Sequence, residues 1–164
     1  MTATINIRNL WLASQLVPVC DALLISDQKK TRASYSSSDF VMSARIASTF
    51  SPHAAEDKGI DLAWDEAIAS VDNDTLVAIV PIFLRGLLLG SIDPRRMATS
   101  SMISRIQNGD LNFSSVLDSR ELLEILACSI VWLASSRRFF EEEVQTLLQF
   151  ANATLAGDPK PNSS

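Results

Sequence analysis

The sequence predicts an all-α protein, a bundle of four or five helices in one domain. Three observations predict it. Aromatic residues make up only 7% of the 164 residues, while Leu, Ala, Ser and Ile dominate, a composition that favours helix over sheet. Apolar residues recur at three- and four-residue spacing in several separate stretches. Pro, Gly and capping residues fall between those stretches. With 47% hydrophobic and 20% charged residues the chain has material for a core, which excludes disordered and collagen-like classes.

The elements follow in chain order. Ile5 to Ser14 is short and mixed, and reads as a strand or an extended arm. Leu16, Val19, Cys20, Leu23 and Leu24 form one apolar helix face, with Pro18 placed in the first turn. This helix runs out at Ser26-Asp27-Gln28-Lys29-Lys30-Thr31. Ser36-Ser37-Ser38 caps a second helix whose stripe is Phe40, Val41, Ala44, Ala47 and Phe50, ended by Pro52. Residues 51–75 read as connection, with a short helical turn around Trp64 to Ala69. Asn73 or Asp74 caps a third helix reaching about Gly90, with Pro81 either a kink or its true first turn. Ile79, Ile82, Phe83, Leu87 and Leu88 cover more than one of its faces, so it belongs in a bundle interior or an assembly interface. Ser91 to Leu111 is polar and reads as a flexible loop. A fourth helix starts near Ser115 or Asp118 and carries Leu122, Ile125, Leu126, Ile130 and Leu133. Phe140, Val144, Leu147, Leu148, Ala151 and Leu155 make a last stripe before the polar tail GDPKPNSS.

Charge and motif content narrow the chemistry. Fourteen basic against 19 acidic residues give −5 at pH 7, so general coating of duplex nucleic acid by overall charge is excluded. The single His53 and the two cysteines, Cys20 and Cys128, supply no zinc-ligand spacing and no His-centred triad. No Gly-x-Ser-x-Gly elbow or Gly-rich phosphate loop occurs, so no catalytic, metal or cofactor site is expected. Both cysteines lie on apolar helix faces and are expected to be buried structural thiols. Trp11, Trp64 and Trp132 are expected as packing anchors, with Trp11 also a candidate interface residue. The start MTATINIRN shows no basic-then-apolar secretory pattern, and the run from Leu76 to Gly90 is broken by Pro81 and Arg85. The expectation is an intracellular protein without a membrane partner.

One segment stands out. Arg85, Arg95, Arg96 and Arg105, interleaved with Thr99, Ser100, Ser101 and Ser104, form a cationic island whose only acid is Asp93. Guanidinium forks and small hydroxyls suit phosphate oxygens. The same arginines also suit solvated surface positions or pairs with Asp93, Asp110 and Asp118, and both readings stand. Gln28-Lys29-Lys30-Thr31-Arg32 complements a helix C-terminus, or faces the 91–105 segment across one groove. The acidic groups, including Glu141-Glu142-Glu143, read as a solvated face or as carboxylates meeting across subunit interfaces.

The order of these features resembles the coat proteins of rod-shaped plant viruses, the tobacco mosaic virus type. MTATINIRNLWLAS is similar to the family's short arm, LVPVCDALL to its first bundle helix, and Thr31-Arg32-Ala33 to the basic turn closing it. Leu87-Leu88-Leu89-Gly90-Ser91-Ile92-Asp93-Pro94-Arg95-Arg96 is the best match. Leu117-Asp118-Ser119-Arg120 and Phe140-Glu141 follow in family order. The family's Arg-Phe pair has no counterpart in residues 51–75, and Arg95 and Arg96 are adjacent where the family spaces them.

The resemblance implies an antiparallel four-helix bundle over residues 1–156, with a short N-terminal arm and a mobile tail at 157–164. It implies a non-enzymatic capsid subunit that self-assembles into a helical rod and packages single-stranded viral RNA, found in the virion and, during assembly, the host cytoplasm. Arg95 and Arg96 would contact phosphates, with Arg32, Asp118, Ser100 and Ser101 alongside. Asp93 would orient Arg95 or pair with Arg120 in a salt bridge within the subunit. Trp11, Ile82 and Phe83 are candidates for the subunit interface. The rival reading is a non-enzymatic interaction module that binds a partner through the apolar 76–90 face.

Overall fold

The structure, a computed structural model, describes residues 7–34, 61–90, 92–136 and 138–157, with the side chains of 24–34, 61–63 and 66 outside the described set. Regular structure among the described residues is all helical: α1 (Ile7–Ser34), α2 (Asp61–Ser70), α3 (Asn73–Leu89), α4 (Met97–Gln107), α5 (Arg120–Ala134) and α6 (Glu141–Ala156). The expected helix over Phe40 to Phe50 and the tail beyond Gly157 lie outside the described residues.

The first correction concerns the N-terminal segment. Residues 7–14, expected as a strand or arm, are the opening turns of α1. The apolar stripe starts earlier than Leu16: Leu12, Leu16, Val19, Cys20 and Leu23 are all buried at helical spacing. Pro18 therefore lies inside the helix rather than in its first turn. A proline there has no N–H for the carbonyl four residues back. Next to that gap, Nε of Arg85 donates to the Ala13 carbonyl at 3.2 Å, giving this stretch a donor from α3.

α3 is the centre of the molecule. Asp72 caps it by accepting from the Thr75 N–H at 2.8 Å, and Gly90 ends it at φ 81°, the left-handed turn that glycine adopts without a Cβ penalty. From Thr75 to Leu88 every residue except Arg85 is buried, Pro81 included, in the helix interior. α1, α5 and α2 all pack on α3, with α1 its largest neighbour. Ile82 and Phe83, expected at a subunit interface, are 7% and 0% exposed and belong to the core of the single chain. The 76–90 face of the rival reading is covered by the same neighbours, because a helix apolar all round satisfies its surface within one chain.

α2 runs longer than the expected turn, burying Trp64, Ala67, Ile68 and Val71 at i, i+3, i+4 and i+7. The Trp64 ring meets Phe83 edge-on at 5.2 Å. The second correction is α4, which occupies the stretch expected as a flexible loop. Ala98, Met102 and Ile103 are buried and Ile106 packs against the core, a stripe of small and flexible apolar residues that the surrounding serines and arginines obscure. α4 rests mainly on α2, and also on α6. α5 begins at Ser119, whose Oγ accepts from the Leu122 N–H at 3.4 Å, and pairs mainly with α6. The first turn of α6 holds Glu141, Glu142 and Glu143, acids suited to the positive end of a helix dipole. Glu143 also accepts from the Phe140 N–H at 3.0 Å.

Candidate nucleic-acid and assembly surfaces

The four arginines of the cationic island divide by what they touch. Arg105 reaches across from α4 to the end of α2. Its Nε donates to Asp110 at 2.9 Å, Nη2 to Asn73 Oδ1 at 2.7 Å, and Nη1 to the carbonyls of Val71 at 2.5 Å and Ile68 at 3.4 Å. The side chain is 14% exposed, so this guanidinium is a clamp inside the fold. The carbonyls it meets close α2 and enter the turn to α3, where helical donors are lacking.

Arg96 pairs with Asp65 of α2, Nη2 to Oδ2 at 2.5 Å. The other oxygen of Asp65 accepts from the Ala98 N–H at 2.9 Å, so Asp65 caps α4 from outside that helix. Arg96, the residue at the N-cap position, has no side-chain cap of its own. Arg85 is held against α1, as described above. Arg95 is exposed, and its backbone N–H bonds to Asp93 Oδ1 at 2.9 Å.

The remaining expected site residues are scattered. Ser100 is exposed and Ser101 half-buried on α4, one and two residues beyond the fully buried Thr99. Asp118 is exposed in the lead-in to α5. Arg32 lies near the end of α1, and its side chain is outside the described set. Asp93 and Arg120 do not pair. Asp93 folds back on its own turn, while Arg120 lies 3.6 Å from Glu124 and donates to the Gly157 carbonyl at 3.1 Å. One helical turn separates Arg120 from Glu124, which makes Glu124 the nearer carboxylate.

A second surface carries more apolar area. α1 and α5 run antiparallel beside each other, since the Trp132 Nε1–H donates to Asn9 Oδ1 near one end and Trp11 and Leu12 share a groove with Cys128 one turn further along. Asn9 also donates to the Leu88 carbonyl at 3.1 Å, which ties α1, α3 and α5 together through one amide. The Arg8 guanidinium stacks 4.9 Å from the Trp132 ring. Ile7, Arg8, Trp11, Leu12, Cys128 and Trp132 line a groove of about 670 Å³. Ile7 is 82% exposed, Trp11 58%, Leu10 43% and Val131 39%.

Trp11 thus stands at the surface, Trp64 is buried, and Trp132 is half-buried. The cysteines differ as well. Cys20 is buried, and burial pushes its thiol up to about 12 although the Arg85 charge pulls the other way. Cys128, expected to be buried, is exposed: the buried stripe of α5 runs through Leu123, Leu126, Ala127 and Ile130, and Cys128 falls beside it. Asn9 and Asp65 had no motif or spacing to single them out, whereas Asp110 was among the carboxylates expected to pair with the island's arginines and does pair with Arg105. Their roles arise from pairings across 79, 31 and five residues.

Among the described residues no group of three or more His, Cys, Asp or Glu converges as metal ligands do, and no helix is long and apolar enough to cross a membrane. Comparison of the chain with protein-family models, curated proteins and solved structures gives no match.

Proposed function

We propose that the chain is a non-enzymatic, self-associating structural subunit of the helical-capsid type, assembling into a rod around single-stranded RNA. What supports the self-association is the groove between α1 and α5, where Ile7 is 82% and Trp11 58% exposed. An indole more than half in solvent, lining a groove beside an exposed isoleucine, is the kind of surface that association covers. The resemblance supplies the coat-protein reading, the antiparallel four-helix bundle, and the location in virion and host cytoplasm. RNA contact in this proposal centres on exposed Arg95, with Ser100 and Ser101 beside it on α4 and Arg32 from α1. Arg96 positions this turn through Asp65, and Asp118 sits by the lead-in to α5.

The test is purification of the chain followed by electron microscopy, sedimentation, and the ratio of absorbance at 260 nm to that at 280 nm. Rods or discs with co-purified RNA are expected. Arg95→Ala should flatten the salt dependence of RNA affinity by about one unit of log–log slope without unfolding the protein. A monomer at every pH and concentration, free of nucleic acid, overturns the proposal.

One observation favours a second reading. Arg85, Arg96 and Arg105 are engaged within the fold, which leaves less of the island for phosphates than the sequence promised. An interaction module would then bind a protein through the Trp11 groove in place of the buried 76–90 face. That reading expects finite complexes and no salt-sensitive RNA binding.

A further inference from the structure

The end of α4 carries the sequence's one Asn-Gly step, Asn108-Gly109. Both residues are exposed, and the Asn108 side-chain amide makes no hydrogen bond among the described residues. The other described asparagines differ. Asn9 is held by Leu88 and Trp132, Asn73 by Arg105, and Asn112 by Ser114 and Ser115, while Asn152 lies inside α6 ahead of an alanine. Gly109 has no side chain to shield its backbone nitrogen, and nothing lies within 4 Å of where a Cβ would stand. The folded turn nevertheless holds this step closed. A ring between the Asn108 side-chain carbonyl carbon and the Gly109 nitrogen needs that nitrogen turned toward the Asn108 Cβ. With Asn108 at ψ −8°, it nearly eclipses the residue's own backbone nitrogen instead. The Gly109 N–H donates to the Ile106 carbonyl at 3.1 Å and the Asp110 N–H to the Arg105 carbonyl at 3.0 Å. The Arg105 side chain then ties the turn to Asp110 and to the end of α2.

We propose that Asn108 is a site of spontaneous deamidation through a succinimide with Gly109, at a rate set by how often the last turn of α4 opens. The inference stands apart from the assembly and RNA readings. In the open turn the Gly109 nitrogen attacks the side-chain carbonyl carbon of Asn108. The new C–N bond closes the ring, the bond to Nδ2 breaks, and the side-chain nitrogen leaves as ammonia with the proton that Gly109 gave up. Water then adds to one of the two ring carbonyls. Opening at the side-chain carbonyl gives aspartate, and opening at the main-chain carbonyl gives isoaspartate, whose backbone runs through the former side chain. The balance is one water consumed and one ammonia released, with no change of oxidation state. Either product puts a carboxylate at the C-terminal end of α4, two residues from Asp110, where the helix dipole disfavours negative charge. Isoaspartate also lengthens the backbone inside the turn, so the bonds from Gly109 and Asp110 back to α4 lose their register. The modified end of α4 is held less firmly, and the Arg105 clamp with it.

The experiment incubates the full chain in mildly alkaline buffer, folded or unfolded in urea, and digests samples with trypsin, which cuts after Arg105 and Arg120. Fragmentation of the Ile106 to Arg120 peptide locates the mass change from amide to acid at residue 108 or 112 and separates isoaspartate from aspartate. Asn108 should convert at least about tenfold faster in the unfolded chain than in the folded one, because the folded chain reacts only through local opening. Isoaspartate should be among the products, and Asn112, followed by Phe113, should remain an amide. Arg105→Ala should speed the reaction of the folded chain at least about threefold, since it removes the ties that keep the turn shut. Should circular dichroism show that this variant does not fold, urea below the unfolding midpoint of the parent takes its place, and the rate should climb with urea. An unfolded chain whose Asn108 stays intact, equal rates in the folded and unfolded chains, or aspartate formed without isoaspartate overturns the proposal. So does a folded Arg105→Ala chain that reacts no faster than the parent.

Discussion

Replacing Arg105 with Ala removes a charge from a site that is 14% exposed and strips donors from four acceptors at once. The acceptors differ in what they lose. The Asn73 amide is at the surface and Asp110 is 26% exposed, so water replaces much of what Arg105 gave them. The carbonyls of Ile68 and Val71 belong to buried residues at the end of α2, where solvent reaches poorly. Two buried carbonyls left without donors cost about 1–3 kcal/mol each, and the broken ion pair adds a partly screened contribution. The sum is about 3–4 kcal/mol, a large share of the roughly 5–15 kcal/mol that holds a domain together. For a chain of this length that corresponds to a Tm lower by about 10 °C. Urea titration followed by circular dichroism at 222 nm reads the loss directly as a lower midpoint at unchanged slope. Arg105→Lys should recover less than half of it, since a point charge on a flexible stem cannot fork to four acceptors. Arg95→Ala, at an exposed position in the same segment, should change stability by less than about 0.5 kcal/mol. A loss below about 1 kcal/mol for Arg105→Ala would refute the clamp.

Three further outcomes are expected. The Cys20 thiol titrates near 9.0 when unfolded and at about 12 when folded, so the unfolded chain releases a proton first. Stability then falls as pH rises above about 9, by about 1.4 kcal/mol per pH unit until the folded thiol titrates, and Cys20→Ala should lack this part of the decline in parallel urea titrations. Gly90→Ala places a Cβ on a residue at φ 81° and should lower stability by about 1 kcal/mol, read by thermal melting. A Cβ at Gly157 would lie 2.5 Å from Ser114 Oγ, so Gly157→Ala should cost about 1–3 kcal/mol, and Ser114→Gly in the same chain should relieve most of it. An equal loss in the single and the double variant would show that the contact is not the cause.

α3, α5 and α6 were legible in the sequence by their apolar stripes, and Gly90 marked the end of α3, but the caps lie elsewhere than expected, at Asp72 in place of Asn73 or Asp74 and at Ser119 in place of Ser115 or Asp118. α4 was hidden because its buried side of Ala98, Met102 and Ile103 is sparse and its other positions are Ser, Thr and Arg, which read as loop. The start of α1 was hidden because Pro18 drew the helix start toward itself, whereas the packing against α3 holds the helix through it. The candidate surfaces split the same way. The cationic island is plain in the sequence, but opposite charges 31 residues apart, as in Asp65 and Arg96, carry no spacing by which to pair them.

By itself the sequence determined that the chain builds helices around an apolar core and concentrates arginine and hydroxyl groups between Arg85 and Arg105. Those properties belong to periodicity and composition, which are local. Only the tertiary structure decided which arginines are clamps and which reaches solvent, that Ile82 and Phe83 face inward, and that Trp11 and Cys128 face outward. The reason is physical. Burial and pairing depend on which helix lies across from a residue, and the neighbours of α1 are α3 and α5, neither of them next to it along the chain.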